Sequence, residues 1–206
     1  MSPFTFHLSP FTIFAIIIFA ATRVNAQTID AKNVMDKTAD VITAEGGASA
    51  TFSMTGNNGN TTGTIKVKGA MFVVNTKQLT VWYDGHTQWA YADATNEVTV
   101  TEPATTEQQT VNPYSFINLY KSGYNMTAER KNNNYVVHLS AQKSSRRITE
   151  AYVTVNAKYQ PVQIRFKTDK GWTTVNISNF KNENLNDSNF KFNSKNYPSA
   201  EIIDLR

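Results

Sequence analysis

The chain has 206 residues, a formal net charge of +4, 40% hydrophobic residues and no cysteine. That length suits one domain with a sizeable core. The missing cysteines exclude disulfides, thiolate metal sites, a cysteine nucleophile and a lipidated N-terminal cysteine.

The chain opens with an apolar run, Phe11 to Ala21, that is short for a membrane span and is followed by small side chains at Val24 and Ala26. This pattern predicts a secretory signal peptide over residues 1–26, cleaved after Ala26, with a single domain over 27–206. The stretch before the run holds His7 but no Lys or Arg, which leaves an uncleaved anchor as the alternative. Cleavage removes Arg23 and lowers the charge from +4 to +3. Export also argues against nucleic acid as a partner. The triplets at Asn60, Asn125, Asn176 and Asn186 fit the glycosylation pattern, but in an Asn-rich chain they read as chance.

"TIDAKNVMDKTADVIT" places Val34, Met35, Thr38, Val41 and Ile42 on one stripe behind Asp30, which predicts an amphipathic helix of about four turns with an Asp cap. "ASATFSMTG" and "TTGTIKVKG" then alternate around Phe52, Met54, Ile65 and Val67, with "NNGN" as the turn. "AMFVVNT", containing Phe72 and Val74, "LTVWYDG", "HTQWAYA" and "EVTVTEP", containing Val98 and Val100, continue an antiparallel meander. Asp84-Gly85 reads as a two-residue turn that pairs Tyr83 with His86 and Thr80 with Trp89. That register puts Trp82, Trp89 and Tyr91 on one face and Leu79, Val81 and Tyr83 on the other.

A helical insert follows in "NPYSFINLYKSG". Asn112 caps it, Pro113 suits its first position, Gly123 suits its end, and Phe116, Ile117 and Tyr120 share a face. Five more strands complete the count: "YNMTAER", "NYVVHLSAQ", "ITEAYVTVN", "PVQIRFKTD" and "WTTVNISNF". The reading is a mainly β, α+β fold: about eleven strands in one strongly curved antiparallel sheet or incomplete barrel, with two helices over it.

Apolar residues on both faces of the Val81–Val100 hairpin fit either a packed core or a concave face lined with rings and closed by helices. Enzyme chemistry finds little support. His86 lies in a turn, His138 lies mid-strand, and Glu102, Glu107 and Glu129 are isolated, so neither a metal set nor an acid-base pair converges. No nucleophile motif or phosphate-cradling Gly loop is present. The one basic cluster, "QKSSRR" from Gln142 to Arg147, reads as an exposed hairpin turn that could meet anionic lipid or an acidic partner.

The order of helix, "ASATF", "KVKGAMFVVNT", "VWYDGHTQWAY", "NPYSFINLY", five strands and the closing "NFKFNSKNYPSAEIIDLR" resembles the periplasmic outer-membrane lipoprotein carrier family, LolA, over nearly all of the chain after Ala26. The resemblance implies a monomeric, cofactor-free and metal-free periplasmic carrier, not an enzyme. Its cavity would hold the acyl chains of lipoproteins or related lipids, taken from an inner-membrane transporter and passed to an outer-membrane receptor. It assigns Phe52, Met54, Ile65, Val67, Phe72, Val74, Trp82, Trp89, Tyr91, Val98 and Val100 to that cavity. Val34, Met35, Val41, Ile42, Phe116, Ile117 and Tyr120 fall to a helical lid. Where the family has Arg-Pro before the third strand, with the Arg latching the lid, this chain has Lys68-Gly69. Lysine keeps the charge but loses the planar fork, so the latch would be wired differently. Three fully enclosed acyl chains at about 0.8 kcal/mol per CH2 would exceed the affinity ceiling of about 20 kcal/mol, so a carrier must enclose them partly or open at a cost. The alternative is a periplasmic sensor or adaptor that uses the same fold to bind a protein or another apolar ligand.

Overall fold

A computed structural model describes residues 28–57, 59–103 and 120–206. The expected signal peptide, Phe116 and Ile117 lie outside these residues. The first element, α1 (Ala31–Ile42), is capped by Asp30, whose carboxylate accepts from the backbone N–H groups of Lys32 and Asn33. At twelve residues it is a turn shorter than "TIDAKNVMDKTADVIT" suggested, because Thr43 already takes the cap position with non-helical backbone. Ala31, Val34, Met35 and Thr38 are buried, whereas Val41 and Ile42 are half-buried.

Twelve strands follow: β1 (Ala48–Gly56), β2 (Gly59–Lys68), β3 (Met71–Thr76), β4 (Leu79–Tyr83), β5 (Gln88–Ala92), β6 (Glu97–Thr101), β7 (Tyr124–Lys131), β8 (Asn134–Ala141), β9 (Glu150–Val155), β10 (Pro161–Thr168), β11 (Gly171–Asn182) and β12 (Glu201–Asp204). All eleven expected strands are present. They form one sheet in the order β12-β6-β5-β4-β3-β2-β1-β11-β10-β9-β8-β7, whose end strands β12 and β7 do not pair with each other, so the barrel is open. The twelfth strand was not anticipated. It pairs in parallel with β6, matching Ile202 with Val98 and Asp204 with Val100.

Curvature follows from the core. Val81 of β4 and Val153 of β9 lie six strands apart, which in a flat sheet is about 29 Å at about 4.8 Å per strand. Both nevertheless belong to one contiguous core with Val34 and Met35 of α1. The sheet curls so that its two halves meet across the concave side, where α1 packs on β7 and β8.

The turn after β4 departs from the two-residue expectation. Tyr83 pairs with Gln88 and Trp82 with Trp89, so the loop has four residues, Asp84 to Thr87. Asp84 accepts from the N–H groups of His86 (3.1 Å) and Thr87 (2.9 Å), and Gly85 has φ +100°. A type I′ turn would need positive φ at both central residues, but among the described non-glycine residues Asp84 is not one with positive φ. Asp84 instead organises the loop with its own carboxylate. The slip is by two residues, so the face assignment survives: a one-residue slip would have inverted it.

The segment after β11 folds back over the convex face of β3 to β6. Its two 3-10 turns, Asp187–Phe190 and Ser194–Asn196, are capped by Asn186 and Asn193. Phe190 is completely buried. The ring of Phe192 packs edge-on to Trp82 at 5.5 Å, and Tyr197 meets Trp82 at 5.7 Å and Tyr91 at 4.6 Å.

Candidate functional site

Strand register separates the residues assigned to the cavity into two sets on opposite faces. On the concave side, Phe52 of β1 pairs with Ile177 of β11, Met54 with Val175, Ile65 of β2 with Val74 of β3, and Val67 with Phe72. The ladder continues from Val74 to Val81 and from Phe72 to Tyr83. On the convex side, Trp82 pairs with Trp89, Trp89 with Val100, and Tyr91 with Val98.

The expected single lining of Phe52, Met54, Ile65, Val67, Phe72, Val74, Trp82, Trp89, Tyr91, Val98 and Val100 is therefore corrected. The last five face away from the concavity, and the C-terminal segment covers Trp82 and Tyr91. Val98 and Val100 are buried outside the concave core cluster. This answers why the hairpin carries rings on both faces: each face has its own cover.

The concave face grades along the strands. Val67 (4% exposed) and Phe72 (0%) are packed core, whereas Phe52, Met54, Ile65 and Val74 are half-buried and Leu79 is 40% exposed. β10 behaves alike, with Ile164 buried and Phe166 half-buried. Antiparallel alternation places Met54, Val74, Leu79 and Phe166 toward the end of the sheet that carries the β1–β2, β3–β4 and β10–β11 turns. The concavity thus opens at that end. Across β1 to β5 and β8 to β11 the register puts no charged side chain on this face. Phe166, Val175 and Ile177 were not singled out from the sequence, and Leu79 was placed on a face of the hairpin but not in the lining. Their strands were recognised, but only the pairings between strands, β10–β11–β1 for the first three and β4–β3–β2–β1 for Leu79, show that they line the same surface as Phe52 and Met54.

Gly63 serves this lining directly. It is the cross-strand partner of Phe52, and a Cβ there would collide first with the Asn75 backbone carbonyl of β3 and then, at 2.8 Å, with the Phe52 ring. A residue without a side chain is needed both for the close approach of β3 and for the Phe52 ring.

The lid residues have separate fates. Val34 and Met35 of α1 are buried in the core, and α1 packs on β7 and β8. Val41 and Ile42 sit half-buried at its end, where the Asn182 amide donates to the Val41 carbonyl. Tyr120 is 5% exposed, and its hydroxyl donates to Asp36 of α1 at 2.6 Å. Burial and that carboxylate push the Tyr120 phenol well up. Lys32 and Tyr120 together hold the Asp36 carboxyl below its ordinary value.

Among the described residues the partners of Lys68, the expected lid latch, belong to the C-terminal segment. Adjacent to the inward-facing Val67, Lys68 points to the convex face. There its ammonium donates to the Leu185 carbonyl (2.9 Å) and the Asp187 carboxylate (2.8 Å), fastening the C-terminal segment. Leu185 and Glu183 are further held by the carbonyls of Gly46 and Gly47.

His138 and Tyr152 stack on the convex face, and both contact the same Glu150 oxygen, at 3.0 and 2.9 Å. His86 is exposed, 3.6 Å from Glu102. Among the described residues no cluster of three or more His, Asp or Glu could hold a metal. A cleft of about 570 Å3 lies between Thr28–Lys32 and Tyr124–Ala128. It runs along the β7 edge and is distinct from the half-buried apolar surface of β1 to β4, β10 and β11.

An incomplete barrel built around an uncharged, apolar concave face defines a binding scaffold. The model of the family described as outer membrane lipoprotein carrier protein LolA matches residues 21–170, and the chain belongs to that family, a family of carriers rather than enzymes. No match is found among curated protein sequences. An uncharacterized conserved protein from Thermus thermophilus superposes with a TM-score of 0.59 at 13% identity, covering 84% of this chain and 98% of its own. A LolA superfamily protein from Nitrosomonas europaea gives 0.43 at 11% identity, covering 80% and 98%. Of the two, the Thermus protein is close enough to support the fold.

Proposed function

We infer that the chain is an extracytoplasmic carrier that holds the acyl chains of lipoproteins, or related lipids, against its concave face and moves them between membranes. One observation carries this reading: an apolar surface formed by Phe52, Met54, Ile65, Val74, Phe166 and Val175 that is only half-buried and has no charge across nine strands. A packed core would be fully buried, and a polar ligand would need partners that this face lacks. Membership of the carrier family supports the same ligand class. Partial exposure also suits release, because an open surface holds acyl chains less tightly than full enclosure would.

The convex aromatic set faces away from this site, and the chain's own C-terminal segment covers Trp82 and Tyr91. Residues 104–119 connect β6, beside one edge of the sheet, with β7 at the other. The lid role of Phe116 and Ile117 remains a proposal, as do the single domain over 27–206, the cleaved signal peptide, monomeric action, and the membrane transporter and receptor. No helix among the described residues is long and apolar enough to cross a membrane. Displacement of a fluorescent acyl probe by purified lipoprotein tests the reading. Competition by the acylated form but not by its deacylated counterpart is expected, and equal competition by both would refute it.

A further inference from the structure

The basic cluster "QKSSRR" does not stand alone in the folded protein. It forms the turn between β8 and β9, and that turn is tied to the end of β10, where the Thr149 N–H donates to the Lys167 carbonyl at 3.0 Å. The β10–β11 turn is tied in turn to the β1–β2 turn, where the Asn57 amide donates to the Lys170 carbonyl. These contacts gather Lys143, Arg146, Arg147, Lys167 and Lys170 at one corner, with Arg165 one residue pair further along the convex face.

Charge there is unbalanced. Among the described residues none of these six cations forms an ion pair with a carboxylate; the same holds for cations such as Lys66, Lys77 and Lys158, so the gathering of six at one corner marks this site. Of the nearby acids, Glu150 is engaged by His138 and Tyr152, and Asp169 adjoins Lys170. The cations instead lie over rings: Arg165 at 5.0 Å and Lys167 at 6.0 Å from Trp172, and Arg146 at 5.2 Å from Tyr124. A tryptophan flanked by two cations is the amphipathic arrangement found where protein meets a headgroup layer. This corner is also at the sheet end toward which the concave face opens.

We propose that this corner docks the protein on an anionic membrane surface, with Lys143, Arg147, Lys167 and Lys170 set against lipid phosphates and Trp172 at the headgroup level. Charge complementarity selects an anionic surface, and the co-location of the apolar mouth selects a bilayer over an acidic protein. Docking there would present the concavity to the lipid from which an acyl chain leaves or into which it enters. Only the position of the mouth rests on the acyl-carrier reading; the charge argument stands apart from it.

The test is sedimentation of the exported protein with vesicles of phosphatidylcholine alone or with phosphatidylglycerol added. The comparison is with Lys143→Gln/Arg147→Gln/Lys170→Gln, three exposed positions whose loss leaves the core untouched. Each cation near an anionic surface contributes about fivefold, so the triple variant should bind on the order of a hundredfold more weakly. Wild-type binding should need phosphatidylglycerol and fall as salt rises. Acyl-probe affinity and melting temperature should not change, which separates this proposal from the carrier reading. Wild-type binding that ignores phosphatidylglycerol, or a triple variant that binds as well as wild type, overturns it. So does absence of vesicle binding, which would leave the cations to an acidic protein.

Discussion

Met54→Gln isolates the concave face from the rest of the fold. Met54 sits half-buried on β1 between Thr61 of β2 and Val175 of β11. Glutamine matches its length and rotatable bonds, and in the empty protein its amide keeps access to water, so stability should change by less than about 1 kcal/mol. An acyl chain laid across β1 would strip that water, and the Thr61 hydroxyl beside it can replace only part of the amide's hydrogen bonding, because Phe52, Ile65, Val175 and Ile177 supply none. Leaving an amide unpaired costs about 1 to 3 kcal/mol in proteins, which weakens binding by about 5- to 150-fold. Titration of a fluorescent acyl probe, with thermal melting as the control, measures both. Trp89→Gln on the opposite face should leave probe affinity unchanged whatever it does to stability. Unchanged affinity in a folded Met54→Gln protein, or equal loss from Trp89→Gln, would refute the assignment of the concave face.

Lys68→Met removes the ammonium that binds the Leu185 carbonyl and Asp187. With Asp187 largely exposed, we expect a loss of about 1 kcal/mol in melting experiments, a faster exchange of the C-terminal amides, and no change in probe affinity. Gly85→Val forces a β-branched residue to φ +100° in the β4–β5 loop and should cost about 1 to 3 kcal/mol by chemical denaturation. Tyr120→Phe deletes the bond to Asp36 and should lower stability by about 1 kcal/mol at neutral pH. The folded Asp36 carboxyl is held below its ordinary value of 3.8, so this contribution is present above that value and lost as pH falls through the lower folded value. Melting curves of the two proteins should therefore converge in strong acid.

Local signals in the chain carry far. Asp30 marks the start of α1, and period-2 alternation between Gly, Asn and Asp turns locates eleven strands. Alternation says which residues of one strand share a face but not which face is concave, and that is why Trp82 and Trp89 were grouped with Phe52 and Met54. The distinction rests on pairings between strands distant in sequence, such as β1 with β11. β12 escaped for a related reason: four residues after Pro198, with no adjacent hairpin mate, they become a strand only by pairing in parallel with β6. Lys68 shows the limit of inference from a family pattern, since its position was legible but its partners, Leu185 and Asp187, lie 117 and 119 residues away.

Photo-crosslinking in living cells tests the central claim most directly. With a photoreactive side chain in place of Met54 on the concave face, and in a second protein in place of the exposed Thr64 on the convex face, the account predicts adducts to acylated lipoprotein from position 54 and none from position 64. Adducts from position 64 alone, or none from position 54 while the protein is folded and exported, would contradict it.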